Sequence, residues 1–244
     1  MTSERRWKGL PIPFYFQQQT AEAFHAMAMR DDDVIVSSIP KTGTTWVHKI
    51  VYQLLHGVGA DGEDIPAPEG SIGSSFQVYP EALRLNRDTP CDPTMKPEMD
   101  AVRKQFFGDF GFEDDMCGQP SPRLMSTHLF GDFLPAELTK PDGKGRLICV
   151  VRNMKDTLCS LHFFRGEPKD GWLGNEHGPG SLARFIAPDP ECPNAYGSSF
   201  TMLREHDRLF HALQPAGRVL ILYYEDLYRN LPAQLDRIAS FLKV

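Results

Sequence analysis

The clearest indication of the fold is the segment VIVSSIPKTGTTW, residues 34–46, which continues as VHKIVYQLLHG up to Gly57. Its first apolar run follows three aspartates and ends in two serines, which predicts a short buried strand over residues 34–38. Apolar side chains then recur at helical spacing over residues 46–56 and stop at Gly57, which predicts a helix. A tight loop therefore joins a strand directly to a helix.

The same alternation of strand and helix recurs along the rest of the chain. Further apolar runs predict strands at residues 123–127, 146–151 and 219–224. Helices are predicted at residues 98–107, 154–164, 199–213 and 232–242, with an acidic loop at 109–122 and a long Gly/Pro-rich loop at 165–193. Strands that alternate with helices predict an α/β fold with a central parallel sheet flanked by helices. The length of 244 residues suits one domain, residues 1–244.

Composition and charge argue against several classes of function. A net charge of −6 disfavours general nucleic-acid binding, so an anionic ligand would need a local cluster of positive groups. No apolar run is long enough for a secretory signal or a membrane span, which favours a cytoplasmic protein without a membrane partner. Five scattered cysteines without metal-ligand spacing predict free thiols and no metal site.

Reactive side chains follow three of the predicted strands at their carboxyl ends. Lys41 comes after the first strand, His128 after the second and Arg152 after the third. Because ligands bind beyond the carboxyl ends of the strands in such sheets, we expect these side chains to gather at one edge. Their convergence indicates an anion site beside a histidine.

The loop before the first long helix has the composition of an anion cradle. Gly43 permits backbone geometry that other residues resist, and N–H groups enter the helix at Thr44 and Thr45. The two threonine hydroxyls add donors, and Lys41 adds a positive charge. The pattern differs from a nucleoside-triphosphate loop, because the lysine precedes the single glycine. An ordinary strand-to-helix turn with a surface lysine is the alternative interpretation.

These motifs resemble those of cytosolic sulfotransferases over nearly the whole chain. PKTGTTW at residues 40–46 resembles the family's 5′-phosphosulfate-binding loop, and RNMKDTLCS at residues 152–160 resembles its 3′-phosphate-binding segment. SPRLMSTHL at residues 121–129 is similar to the stretch that bears the family's catalytic histidine. Segments 196–198 and 224–227 also have family counterparts. The two binding motifs are highly specific in combination.

The resemblance implies a parallel sheet of about five strands, with 3′-phosphoadenosine 5′-phosphosulfate (PAPS) as donor and adenosine 3′,5′-bisphosphate (PAP) as product. It assigns the role of general base to His128 and a catalytic charge to Lys41. The residues it assigns to the donor are Lys41, Thr42, Gly43, Thr44, Thr45 and Trp46 for the 5′-phosphosulfate, Arg152 and Ser160 for the 3′-phosphate, and Tyr196 for the base.

The chemistry of sulfuryl transfer requires such groups. An acceptor hydroxyl or amine must lose a proton as it attacks sulfur, and a neutral imidazole is matched to that step near pH 7. Lys41 and the loop amides can stabilise the negative charge that grows on the leaving bisphosphate. A sulfuryl group carries less charge than a phosphoryl group, and no carboxylate follows the loop as a metal site would require. We therefore expect transfer without a metal ion.

Aromatic side chains indicate a pocket for a small-molecule acceptor of apolar or aromatic character. Phe130 and Phe133 follow the histidine closely, and Phe14 lies near the N-terminus, although aromatic stripes are also typical of a protein core. The sequence carries no signal for the identity of the acceptor or for the oligomeric state. Two other functions stay open: a P-loop-type small-molecule or nucleotide kinase, and a catalytically weak nucleotide-binding module.

The sequence departs from the family at two places. Ser126 stands where the family often has a lysine that stabilises the transferring sulfuryl group, so either another basic group replaces that charge or turnover is slower. The chain also stops at Val244, before the Arg-Lys-Gly segment with which the family wraps the 3′-phosphate. A fragment and a natural short form are both open, and in either case Arg152 and Ser160 would hold the phosphate with less help.

Overall fold

The structure, a computed structural model, describes residues 6–8, 10–11, 15–57, 78–91, 97, 100–101, 103–104, 109–164, 208, 211 and 213–244. The candidate binding residues Phe14 and Tyr196 lie outside the described residues, and so does the predicted loop 165–193. Most of the predicted helices 98–107 and 199–213 lies outside them as well.

Parallel strands form the central sheet. Near the N-terminus, β1 (Arg6–Trp7) and β2 (Leu10–Pro11) pair separately as an antiparallel ribbon. The sheet itself consists of β3 (Val34–Ser38), β4 (Leu124–Thr127), β5 (Arg146–Val151) and β6 (Val219–Tyr223). Their order is β4-β3-β5-β6, and each neighbouring pair is parallel. The predicted α/β fold is confirmed, and the described residues supply four parallel strands where about five were expected.

Helices cover both faces of this sheet. They are α1 (Gln18–Ala26), α2 (Thr44–His56), α3 (Ala136–Thr139), α4 (Met154–Phe164), α5 (Tyr224–Arg229) and α6 (Leu231–Leu242). Side chains alternate along β3, so that Ile35 packs into one core with Phe24 of α1, whereas Val34 and Val36 pack into a second core with Ile50 of α2. Among the described residues, no helix is long and apolar enough to cross a membrane.

The structure differs from the predicted elements in three helices, at several element ends and in one loop. Helices α1, α3 and α5 were not predicted, and the predicted strand 219–224 ends at Tyr223 because Tyr224 begins α5. Helix α2 begins at Thr44, earlier than predicted, because Gly43 in a left-handed conformation acts as its N-cap. The predicted acidic loop contains a π-helical turn, Phe112–Met116, whose two terminal side chains are buried in the core. The carboxylate of Asp115 accepts the N–H of Gly111 at the start of this turn and so stabilises it.

The strand register brings the segments that follow the strands to one edge. Ser37 of β3 pairs with Thr127 of β4 and with Cys149 of β5. The chain therefore leaves these three strands at about the same level, at the carboxyl edge of the sheet. At the opposite edge, the buried Arg123 guanidinium binds the Asp33 carboxylate with an Nε–Oδ1 distance of 2.8 Å. This ion pair ties the starts of β4 and β3 together.

Candidate active site

The turn between β3 and α2 has a strained, left-handed backbone. Lys41 has φ 72° and Gly43 has φ 103°. A left-handed conformation is unfavourable for lysine, and strain of this kind clusters at ligand-binding sites. The buried hydroxyl of Thr42 donates to the carbonyl of Ile39 at 2.7 Å, which closes the turn from the inside. The shape of the turn is therefore fixed by its own contacts.

The two threonines that open α2 are placed differently. Thr44 is buried, and its hydroxyl hydrogen-bonds the hydroxyl of Ser38 at the end of β3. Thr45 is exposed. Gly43 provides no side-chain cap, so the helix presents its N–H groups and the positive end of its dipole in a form that suits an anion. The Thr44 hydroxyl, predicted as a donor to the anion, thus also has a partner within the fold.

Arg152 reaches this turn from the end of β5. Its Nη1 donates to the backbone carbonyl of Lys41 at 3.1 Å, and its guanidinium carbon lies 4.4 Å from the centroid of the Tyr224 ring. Its Nε is buried and has no hydrogen-bond partner among the described residues. A buried donor without a partner costs free energy, and an anion at this place would satisfy it.

Two positive groups therefore lie close together at the carboxyl edge. Burial lowers the pKa of Lys41 from its ordinary value, and the charge of Arg152 lowers that pKa further. A like charge nearby disfavours the charged form of a group, and a bound anion would favour it. The structure thus brings together the two cations that the sequence placed at this edge.

His128 follows β4 and is held in one tautomer by a backbone carbonyl. Its Nδ1 lies 2.8 Å from the carbonyl oxygen of Ser38. Because a carbonyl oxygen only accepts hydrogen bonds, Nδ1 carries the hydrogen and Nε2 keeps its lone pair. Burial lowers the pKa of His128 to about 4, against a smaller opposing effect of the Ser38 carbonyl. The imidazole is therefore neutral at pH 7 and can accept a proton at Nε2.

A buried glutamate, which no sequence motif predicted, lies behind His128. Glu81 lies in a 3₁₀ turn, Pro80–Ala82, and one of its carboxyl oxygens accepts the backbone N–H of His128 at 2.8 Å. The other oxygen accepts the hydroxyl of Thr127 at 2.9 Å. The ring of Tyr79 lies 5.0 Å from the imidazole, centroid to centroid. This segment fixes the backbone of His128 and packs against its ring.

Replacement of Glu81 by glutamine is expected to change how stability depends on pH. Burial raises the pKa of Glu81 to about 7, so the folded protein keeps a proton that the unfolded chain releases above its ordinary pKa of 4.5. Stability is therefore lost as the pH rises from 4.5 to about 7. Glutamine cannot ionise, so the free energy of unfolding of Glu81→Gln should rise relative to that of the wild type by roughly 3 kcal/mol between these two pH values.

Denaturant unfolding at several pH values measures this difference. Glu113→Gln is the matched control, because Glu113 is exposed, and its free energy of unfolding should follow that of the wild type. A difference between Glu81→Gln and the wild type that stays constant with pH would contradict the prediction.

Replacement of Gly43 by alanine is expected to disrupt the turn. A Cβ here would lie 2.8 Å from the ring of Tyr224, and the φ of 103° is unfavourable for alanine. We expect the free energy of unfolding to fall by about 2 kcal/mol, since backbone strain and overlap add. Gly57→Ala is the control for strain alone, because φ is 79° there and a Cβ would meet no atom within 4 Å. If denaturant unfolding showed an equal loss of free energy in both variants, the contact with the Tyr224 ring would add nothing to the effect of backbone strain.

Of two further predicted residues, Trp46 contacts this group, and Ser160 lies on the helix that follows Arg152. Trp46 is half-buried, and its ring meets that of Tyr224 edge-on, with 5.7 Å between centroids. Ser160 is half-buried on α4, the helix that begins after Arg152. Trp46 is thus connected to Arg152 through the tyrosine ring.

The phenylalanines after His128 belong to an aromatic cluster. Phe130 is only 1 % exposed, and its ring lies 5.5 Å from that of Phe133. Phe133 also packs against Trp7 of β1 at 4.8 Å, and Trp7 meets Phe16 at 5.1 Å. Phe130 is therefore a core residue, whereas the half-buried Phe133 stays a candidate for contact with an acceptor.

Ser126, at the place of a lysine in the family, has a histidine beside it. The Ser126 hydroxyl lies 2.8 Å from Nδ1 of His48, and both residues are buried. His48 lies one helical turn after Thr44 on α2. This contact ties Ser126 to α2, and both alternatives from the sequence, a replacing basic group or slower turnover, stay predictions.

Metal ligands are not grouped in the described part of the chain. There, no three histidine, cysteine or acidic side chains lie close enough together to hold a metal ion. Four cysteines are described, Cys91, Cys117, Cys149 and Cys159, and all are free thiols. The candidate site is built from cations, backbone amides and one histidine.

Comparison with known proteins identifies the family. The family model of the sulfotransferase domain matches residues 31–244. Sulfotransferase 6B1 of Pan troglodytes is 27% identical over 237 residues, which cover 97% of this chain and 63% of that protein. Sulfotransferase 1E1 of Homo sapiens is 28% identical over 226 residues, which cover 91% of this chain and 62% of that protein. The chain thus spans less than two thirds of the length of these relatives.

Solved structures share the fold. Mouse sulfotransferase SULT7A1 complexed with PAP gives a TM-score of 0.62 at 20% identity, over 98% of this chain and 68% of that one. Retinol dehydratase in a complex with retinol and PAP gives a TM-score of 0.62 at 17% identity, over 92% of this chain and 63% of that one. With the match to the family model, these findings confirm the resemblance seen in the sequence, and the chain belongs to the sulfotransferase family.

Proposed function

We propose that the protein transfers a sulfuryl group from PAPS to a hydroxyl or amine of a small-molecule acceptor and releases PAP. One observation carries the proposal: at the carboxyl edge of the sheet, Lys41 and Arg152 meet near a histidine whose Nε2 can accept a proton. Membership of the sulfotransferase family supports the reaction class. The PAP complexes of SULT7A1 and retinol dehydratase, which share the fold, support the choice of nucleotide.

The residues present fit a donor with two anionic groups. Arg152 offers a buried Nε without a partner, and Lys41 is a second cation beside it. The N-terminus of α2, without a side-chain cap, adds backbone N–H groups. We assign the 5′-phosphosulfate to residues 41–46, and the 3′-phosphate to Arg152 and Ser160.

His128 acts as the general base in this proposal. Its Nε2 takes the proton of the acceptor while the acceptor oxygen or nitrogen forms a bond to sulfur. The bond between sulfur and the bridging oxygen of the donor breaks, and its electron pair stays on the 5′-phosphate of PAP. Lys41 and the loop amides stabilise the charge on that oxygen. The Ser38 carbonyl and Glu81 hold the base in place.

We propose an apolar or aromatic small molecule as the acceptor and the cytoplasm as the location. Phe133 is half-buried shortly after His128 and belongs to a cluster of aromatic rings, which suits such an acceptor. Retinol and androsterone are bound in structures of retinol dehydratase, which shares the fold. The free thiols of the four described cysteines support a reducing compartment.

Thermal unfolding with PAP and with ATP–Mg²⁺ tests the donor. A ligand that binds only the folded protein raises the Tm by mass action, so PAP should raise it and ATP–Mg²⁺ should leave it unchanged. Stabilisation by ATP–Mg²⁺ alone would favour a kinase and overturn the proposal. Binding of PAP without transfer of labelled sulfate from PAPS to any phenol, steroid or amine of a panel would leave only a nucleotide-binding module.

A further inference from the structure

The ring of Tyr224 contacts several parts of the proposed donor site. Tyr224 is the first residue of α5, directly after β6. The guanidinium of Arg152 lies over the ring, 4.4 Å from its centroid. Trp46 meets the ring edge-on at 5.7 Å, and a Cβ on Gly43 would lie 2.8 Å from the ring carbon Cδ2. The ring therefore touches both the turn after β3 and the residue that follows β5.

An aromatic face holds Arg152 without neutralising its charge. For comparison, the buried Arg123 is paired with the carboxylate of Asp33, whereas Arg152 is half-buried. Within the described residues Arg152 has no such ion pair, and the nearby Glu225 instead accepts the backbone N–H of Asn153 at 2.8 Å. A cation over an aromatic ring is attracted to it and keeps its full charge. That charge stays available to an anion.

We propose that Tyr224 is a positioning residue of the donor site. Its ring fixes the direction of the Arg152 guanidinium and supports the turn at Gly43, so that both are held ready for a nucleotide with two anionic groups. This inference rests on the proposed donor and adds a residue that acts through its neighbours. Because the ring makes these contacts, a phenylalanine at the same position should preserve the site.

Calorimetric titration with PAP tests the role of the ring. Tyr224→Leu is expected to weaken PAP binding about tenfold, whereas Tyr224→Phe should stay within about twofold of the wild type. Tyr228→Leu on the same helix is the matched control, because Tyr228 is 80 % exposed, and it should bind PAP like the wild type. An unchanged affinity in Tyr224→Leu would overturn the inference, as would an equal loss in Tyr224→Phe.

A double-mutant cycle shows whether the ring acts through Arg152. In an Arg152→Ala background, the further change Tyr224→Leu should weaken PAP binding clearly less than about tenfold, since only the support of the turn at Gly43 then remains to be lost. A further loss of about tenfold would show a general structural effect and overturn the inference. Steady-state kinetics should show a raised KM for PAPS with an unchanged KM for the acceptor. If Tyr224→Leu does not fold, Tyr224→Met, which is flexible and has no ring, replaces it in both measurements.

The titration of the wild type with PAP distinguishes a failure of the proposed donor from a failure of the proposed role of Tyr224. If the wild type binds no PAP, the proposed donor is wrong, and the role of Tyr224 is overturned with it. If the wild type binds PAP and the leucine variant binds it equally well, only the role of Tyr224 is overturned.

Discussion

Replacement of His128 by asparagine is expected to lower the rate of sulfuryl transfer by about 10²–10⁴-fold and to leave the affinity for PAP unchanged. Asparagine can still donate a hydrogen bond to the Ser38 carbonyl in place of Nδ1, so the local structure is kept. It has no counterpart of the Nε2 lone pair, which takes the proton of the acceptor in the proposed mechanism. Transfer of labelled sulfate at saturating PAPS measures the loss.

His25→Asn is the matched control for this experiment. The Nδ1 of His25 also lies close to a backbone carbonyl, that of Leu134 at 2.7 Å, but His25 belongs to α1. We expect its transfer rate to equal that of the wild type. A His128→Asn variant that keeps more than about a tenth of the wild-type rate would contradict the role of base. Loss of PAP affinity in that variant would indicate a role in binding.

If His128 is the base, as proposed, its pKa should determine the acid side of the pH profile. Because burial lowers the pKa of His128 to about 4, kcat/KM should fall only as the pH approaches that value. A histidine with its ordinary pKa of 6.5 would already lose activity near that pH, because its imidazole would be protonated there. A wild-type profile that falls near pH 6.5 would therefore show that another group titrates, or that His128 is open to water during turnover.

The sheet that gathers the site was predictable from local patterns. The strand and helix at residues 34–56 follow from hydrophobic periodicity. The structure differs from that prediction only in the residue at which the helix begins. His128 and Arg152 each follow an apolar run, and parallel strands bring the segments after such runs to one edge. The contacts of Ser38 with His128 and of Lys41 with Arg152 follow from that topology.

The residues that support the site were not predictable, for a physical reason. Glu81 lies 47 positions before His128, and its contact with a backbone N–H depends on tertiary packing and not on a motif. The segment that contains Tyr224 matched the family, but the pattern does not show which ring lies under Arg152. The inward hydroxyl of Thr42 follows from a left-handed turn that composition does not determine.

Replacement of Lys41 by methionine is expected to lower kcat by about 10²–10³-fold. In the proposed mechanism, the ammonium charge is then missing where negative charge develops on the oxygen of the leaving bisphosphate. Methionine keeps an unbranched side chain and the same Cβ on the left-handed backbone, which has φ 72°, so the comparison isolates the charge. Single-turnover transfer at saturating PAPS measures the effect.

The same replacement should stabilise the ligand-free protein. A higher Tm together with a lower kcat would show that the charge of Lys41 serves catalysis and not the fold. Burial and the charge of Arg152 both lower the pKa of Lys41, so loss of the amine removes a desolvated charge and a repulsion. We expect a ligand-free Tm above that of the wild type and a smaller rise with PAP. Lys243→Met should change neither quantity, because Lys243 shares a left-handed φ of 64° but is exposed after α6. If Lys41→Met lowered both the Tm and kcat, Lys41 would be supporting the fold and not the leaving group.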